Sequence, residues 1–268
     1  NAGALTMGGT VVINDNRKGG NTFNTGNQDN LYLSAGHGPI TINNTLTTSS
    51  NISIITEMPG VFTSGLSSAS ATYSVFTCNN DGVMEIIDHS GEAETRTYWS
   101  VLKNQMAADG NISLTRDYTA HSSDSYLEVP IGITVNLDLN GHSVTRTLSE
   151  ATDGGCIIKN NGTLTIAGSG YISGGYNNDD GGAIRNNGNL TLEGPSSSSS
   201  LHIWNGKVSS GHNGAGIYNT STSTLTMKGH LLIYDNYLFI SSTNYSPNNV
   251  FLPSSKKITI GAGGLSTS

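Results

Sequence analysis

The chain has 268 residues, of which 35% are hydrophobic and 12% charged, with 34 glycines and a formal net charge of −7. Gly, Asn, Ser and Thr replace the usual charged and apolar residues, which suits many short strands joined by tight turns and excludes a helical protein. With only 12 Lys and Arg there is no basic footprint for nucleic acid, and no run of about 18 apolar residues offers a membrane span.

In chain order, residues 1–50 carry short apolar stretches between Gly- and Asn-rich turns: LTM from Leu5, VVI from Val11, NLYL from Asn30 and ITI from Ile40. Residues 50–109 read differently, with the apolar run VMEII at Val83–Ile87 and no repeated turn motif. TYWSVLKNQMAADG, Thr97–Gly110, predicts one short amphipathic helix over 97–109. Thr97 stands at its N-cap, Trp99, Leu102 and Met106 share a face, and Gly110 stops it. Such a helix covers strand edges that would otherwise stay open. Residues 1–90 are therefore expected to be the C-terminal part of one β module. Residues 91–268 are expected to be a second module that opens with the helix and is cut mid-repeat. The chain begins at Asn1 with no leader or sorting segment, and is expected to be a mature or excised fragment.

From Ile131 to Leu139 the odd positions are Ile, Ile, Val, Leu and Leu and the even ones Gly, Thr, Asn and Asp. Period two predicts a strand with one dry face. Repeats then decide how the strands associate. IKNNGTLTI at Ile158–Ile166 aligns without a gap on IRNNGNLTL at Ile184–Leu192, at an offset of 26, and IYNTSTSTLTM at Ile217–Met227 is a third copy. A Gly-rich step precedes each copy: GGCI at Gly154–Ile157, GGAI at Gly181–Ile184 and GAGI at Gly214–Ile217. A longer repeat overlies these, since LTMGGTVVINDN at Leu5–Asn16 returns as LTMKGHLLIYDN at Leu225–Asn236, an offset of 220. NLYL, ITI and LTTS likewise return as NVFL at Asn249, ITI at Ile258 and LSTS at Leu265. Equal-length repeats of short strands are expected to stack in parallel about 4.8 Å apart, with Leu164, Leu190 and Leu225 in one interior column. The expected fold is all-β, a parallel β-helix of three-strand coils.

LDLNGHSV at Leu137–Val144 resembles a phrase common in pectin-lyase-like right-handed β-helices. GGAI at Gly181–Ile184 resembles the tetrapeptide of polymorphic outer-membrane-protein repeats; the partner motif FxxN is absent in strict form, IYDN at Ile233–Asn236 being a degenerate relative. The resemblance spans residues 111–268 and, more weakly, 1–50. It implies the repeat region of a large bacterial surface protein or adhesin, extracellular or at the cell surface. It is nearly silent on activity, because this fold hosts lyases, hydrolases and plain adhesins alike.

The expected function is a non-enzymatic scaffold or adhesin stalk that contacts host or matrix glycans or proteins. Its rivals are a secreted polysaccharide lyase or glycoside hydrolase, and a filament subunit that associates end to end. Trp204, Tyr171, Tyr176 and Tyr218 fall at outward positions and are the expected glycan contacts, since amphipathic rings stack on sugars. Asp179–Asp180 in YNNDDGG reads as a solvated turn, with catalysis or a weak calcium site as lesser readings. Lys159 and Arg185 take equivalent outward positions, with no carboxylate expected beside them. Asn160–Asn161 and Asn186–Asn187 are expected to form an asparagine ladder. Cys78 and Cys156 read as buried or half-buried thiols, without ligand spacing for a metal. No catalytic residue, metal or cofactor is assigned.

Overall fold

The computed structural model describes residues 5–14, 17–18, 27–28, 30–79, 82–195, 199–241 and 244–266. It divides into two units, Asn1–Tyr98 and Trp99–Ser268. Nearly all regular structure is strand, and among the described residues the one α-helix, α1, spans Tyr98–Met106. Among the described residues no helix is long and apolar enough to cross a membrane.

In unit 2 the chain visits three parallel sheets in turn and returns to the first one rung further on. Sheet one stacks Gly110–Ser113, Thr134–Asp138, Thr163–Ala167, Asn189–Glu193, Thr224–Gly229 and Ile258–Leu265. Sheet two stacks Tyr118–Thr119, Ser143–Arg146, Gly170–Gly174, Leu201–Trp204 and Leu231–Tyr234. Sheet three stacks Leu127–Val129, Ile158–Asn160, Ile184–Asn186, Ile217–Asn219 and Val250–Phe251. Every pairing within these sheets is parallel. Leu164 lies opposite Leu190, and Leu190 opposite Leu225, so the expected interior column exists and all three side chains are buried. A second column runs Leu137, Ile166, Leu192 and Met227, and a third Leu127, Ile158, Ile184 and Ile217.

The three-strand coil is incomplete as a description. From the third circuit onward a fourth sheet enters between sheets two and three, built from Tyr176–Asn177, Lys207–Ser209 and Tyr237–Ser241, with Asn244–Pro247 antiparallel at its edge. The corner that admits it is Gly174–Gly175, both at positive φ (94° and 79°), where a side chain would be strained. Strand bounds also differ around Ile131. The strand begins only at Thr134, and Ile131 is 86% exposed in a turn with Gly132 at φ 83°. Pro130 lacks an N–H for the ladder, and Gly132 bends the chain before the period-two pattern can register.

Helix α1 buries Trp99, Leu102 and Met106 completely, the face expected from their spacing. Trp99 Nε1 donates to Ser125 O at 2.7 Å and Lys103 Nζ to Ser125 Oγ at 2.5 Å, tying the helix to the first circuit of unit 2. It begins directly after Thr97, the expected N-cap position, and ends at Met106, short of the expected end at 109. Thr97 stays in a strand opposite Met84, and Gly110 opens the next strand rather than following the helix directly.

Unit 1 has its own core, formed by Met7, Leu33, Ile40, Ile42, Leu46, Ile52, Ile54, Phe62, Leu66 and Phe76 among others. Thr6–Met7, Ile40–Ile42 and Thr63–Ser64 form one parallel sheet, and Val12–Ile13, Asn51–Thr56 and Phe76–Cys78 another. The stretch without repeats supplies an antiparallel hairpin, Met84–His89 with Glu92–Thr97. Its two-residue turn, Ser90–Gly91, has both residues at positive φ, the geometry that matches the twist of a hairpin. The Glu92 carboxylate closes the 3-10 turn Leu66–Ser68, accepting from Gly65 N at 2.9 Å, Leu66 N at 3.1 Å and Thr63 Oγ1 at 2.9 Å.

Candidate functional site

The outward positions of sheet three form a column: Glu128, Lys159, Arg185, Tyr218 and Phe251. A carboxylate therefore stands in register beside Lys159, contrary to the expectation that none would accompany the basic pair. Glu128 is held there by Asn161, whose Nδ2 donates to Oε1 at 2.7 Å. A second carboxylate reaches Arg185 from elsewhere in the chain. Asp179 Oδ2 accepts from Arg185 Nη1.

The loop that delivers Asp179 leaves sheet four at Asn177 and is pinned by that buried side chain. Asn177 Nδ2 donates to the carbonyls of Asp180 and Gly181 at 2.9 and 3.0 Å, and its Oδ1 accepts from Gly155 N at 3.0 Å. The acidic pair is thus half-buried rather than a solvated turn. Asp180 Oδ1 accepts from Asn213 N at 2.8 Å, which brings in the next circuit. His212 Nδ1 lies 3.9 Å from Asp179 Oδ1 and 3.8 Å from Asp180 Oδ1. Burial opposes ionisation of Asp179, but the Arg185 hydrogen bond and charge, the Asp180 N–H and His212 outweigh it and hold its carboxyl below the usual range. Burial and the neighbouring Asp180 carboxylate push the Tyr218 hydroxyl in the opposite direction, upward.

Asp179, Asp180 and His212 offer ligand atoms within 4.8 Å of one another. A calcium ion takes roughly six to eight oxygen ligands, more than this group offers, and the Arg185 guanidinium already neutralises Asp179. Beside the cluster lies a cleft of about 190 Å³ whose lining includes Tyr126, Cys156, Lys159, Asp179 and Arg185. Lys159 Nζ sits 5.5 Å from the centre of the Tyr126 ring, a cation–π distance. The Cys156 thiol is buried, and desolvation raises its pKa to about 11. Cys78 is half-buried, and no disulfide joins the two.

The four aromatic residues expected to contact glycans fall into three separate groups. Tyr171 meets Trp204 edge-on at 6.3 Å, and Trp204 stacks on Tyr234 at 6.2 Å with rings 5° apart, along the outer face of sheet two. Tyr234 also meets His202 at 5.9 Å. Tyr176 belongs to sheet four, with Phe239 at 5.4 Å and Lys207 Nζ at 5.9 Å. Tyr218 stacks on Phe251 at 5.2 Å and leans on the acidic cluster. The Tyr171–Trp204–Tyr234 group is a run of rings along sheet two with its ends exposed, Tyr171 at 41% and Tyr234 at 38%, and a second run, Tyr176–Phe239–Tyr245, lies along sheet four.

Sequence reasoning missed His212 and Tyr234. His212 lies more than thirty residues beyond Asp179, and it is stacking between successive circuits, with Ser209 Oγ donating to Asn178 Oδ1 at 2.9 Å and Asn213 N to Asp180 Oδ1 at 2.8 Å, that brings their loops together. Tyr234 was visible in principle, since LHIW from Leu201 and LLIY from Leu231 align end to end and place Trp204 opposite Tyr234.

Compared with known proteins, the chain matches no family model, no curated protein and no solved structure.

Proposed function

We propose that residues 99–268 form a right-handed parallel β-helix of pectin-lyase-like build. On this reading the chain works as a non-enzymatic scaffold or adhesin stalk, outside a bacterial cell or on its surface. The observation that carries this is the stack of six parallel strands from Gly110 to Leu265, in register except for one shift between Met227 and Gly229 in the last pairing. Parallel crossovers in one sheet are right-handed in about 98% of cases, which supplies the hand. Backbone hydrogen bonds running along such a stack make it stiff, and each added circuit extends reach.

Glycan contact is assigned to the Tyr171–Trp204–Tyr234 run, because amphipathic rings on an exposed sheet face are suited to sugar surfaces. The test is a glycan array combined with a turnover assay on the polymers that bind. Binding that is lost in Trp204→Ala, without release of reducing ends, supports the reading. Depolymerisation by the wild-type chain overturns it.

A second reading, a polysaccharide lyase or hydrolase, is favoured by the Asp179–Arg185–Asp180–His212 cluster. Carboxylates with a neighbouring cation and an imidazole are the raw material of acid–base chemistry. On that reading Asp180→Asn abolishes depolymerisation while Trp204→Ala only weakens binding.

A further inference from the structure

Lys159 and Arg185 stand directly opposite each other on neighbouring strands of sheet three. Like charges that face each other across a ladder repel and cost stability. The carboxylates nearby are engaged elsewhere. Asp179 accepts from Arg185 Nη1 and from Asp180 N, and Glu128, on the other side of Lys159, accepts from Asn161 Nδ2 at 2.7 Å. The Lys159 ammonium lies 5.5 Å from the centre of the Tyr126 ring instead. That ring is admitted by Gly154, at φ 69°, where a Cβ would stand 3.1 Å from Tyr126 Cε1.

A donor is left over at the same place. Among the described residues four buried side-chain nitrogens lack a hydrogen-bond partner, and Arg185 Nε is one of them. Such a group calls for an explanation, a bound ion or water being the usual one. Tyr126, Lys159 and Arg185 line one cleft of about 190 Å³, together with Gly154, Cys156, Asn177 and Asp179. Pockets for drug-sized ligands hold roughly 300 Å³ or more, so this space takes a single small group. Its field is set by cations. The charges that act on the buried Cys156 thiol are Arg146, Arg185 and Lys159, each favouring an anion there, although the whole chain carries −7. Arg146 is 6% exposed and reaches the wall of the cleft by donating from Nη1 to Gly154 O at 2.7 Å and Cys156 O at 2.6 Å.

We propose that this cleft binds a small oxyanion, a carboxylate or a sulfate group, between the Lys159 ammonium and the Nε edge of the Arg185 guanidinium. A guanidinium presents its nitrogens as a planar fork that matches two oxygens of such a group, and Asp179, bound to Nη1, leaves the Nε edge to a ligand. The Tyr126 ring supplies an apolar wall, and Arg146 contributes charge. The bound anion separates two facing cations and gives the buried Nε its partner. The site stands apart from the Tyr171–Trp204–Tyr234 run, which lies on sheet two, so the two assignments fail separately.

The test is a titration with sodium acetate or sodium sulfate, against sodium chloride at equal ionic strength, followed in proton–nitrogen correlation spectra of the arginine side chains. Arg185→Lys identifies the Arg185 Nε–H signal by its loss. That signal is expected to move saturably with acetate, with sulfate or with both, and not with chloride. Saturation by acetate alone makes the ligand group a carboxylate, and by sulfate alone a sulfate. Lys159→Met is expected to weaken the saturable binding about tenfold or more, as for the loss of one charged hydrogen bond. Lys207→Met, which removes a cation from sheet four, is expected to leave it unchanged. Lys159→Gln repeats the measurement if Lys159→Met disturbs the rest of the spectrum. A shift that is linear and equal in all three salts contradicts the proposal, and so does saturation that survives both Lys159 variants.

Discussion

Asn160 and Asn186, one circuit apart on sheet three, are joined by a buried amide–amide hydrogen bond, Nδ2 to Oδ1 at 2.8 Å. Asn186 Nδ2 continues the chain to Asn219 Oδ1 at 2.6 Å. Each Oδ1 of the first two also accepts a backbone N–H two residues on, from Gly162 and Gly188, which fixes the turn out of sheet three. The ladder stops at Asn219, whose Nδ2 has no partner, because the next strand offers Val250–Phe251 and then Leu252.

Asn186→Ala removes the middle of this ladder and strands buried amide groups on both sides. Each such orphan costs about 1–3 kcal/mol. The expected loss of unfolding free energy is about 2–4 kcal/mol, read by chemical denaturation. Asn187→Ala, at the neighbouring outward position, is expected to cost far less, because its bond to Asn161 at 2.7 Å lies on the solvent side.

The interior column carries a parallel contrast. Leu190→Ala should cost about 2–5 kcal/mol, the lost transfer energy plus the cavity left between Leu164 and Leu225. Thr191→Ala, one residue on and facing outward, should stay within about 0.5 kcal/mol. Equal effects of the two substitutions in urea titration would mean that the two faces are not as described.

In unit 1 acid should act through Glu92. Burial raises its pKa, but the hydrogen bonds from Thr63, Leu66, Ser67 and Gly65 outweigh it and leave the carboxyl below its usual value. A folded pKa below the unfolded one stabilises the fold fully above about 4.3, the unfolded carboxyl value, and that contribution disappears as pH falls through the folded value. The melting temperature of the unit is therefore expected to drop on acidification below that range. Glu92→Gln should be less stable near neutrality and show a shallower decline.

The thiols should differ in reactivity. Cys156 is 2% exposed and its pKa is raised to about 11, so the nucleophilic thiolate is scarce at neutral pH. Thiol reagents at neutral pH are expected to modify Cys78 in the folded chain and Cys156 only on unfolding, as mass spectrometry of labelled peptides would show.

Much of unit 2 was legible because its repeats are gapless where it matters. Leu164 and Leu190 stand in the same place in two nine-residue phrases, so the interior column and the asparagine ladder follow together. The Trp99–Leu102–Met106 face was legible from helical spacing alone. The fourth sheet was not, because its strands are two to five residues long and are defined by a glycine corner rather than by an apolar pattern. The Asp179–Arg185–His212 association was hidden for a related reason. It joins a strand residue to loops of different length, and loop proximity follows from stacking, not from sequence distance. Unit 1 resisted reading where it has no internal copy to align, although Ser90–Gly91 between alternating residues is a hairpin signal.

The register of sheet one is the claim on which the rest depends, and engineered disulfides test it most directly. With Cys78 and Cys156 replaced, Thr165→Cys with Thr191→Cys places the two thiols on directly opposed residues of adjacent parallel strands, where the Cα spacing of about 4.8 Å permits a bridge. Thr165→Cys with Asn189→Cys offsets the pair by two residues and puts it beyond bridging distance, about 7 Å. Rapid oxidation of the first pair and none of the second is expected; oxidation of the offset pair alone would contradict the parallel stack.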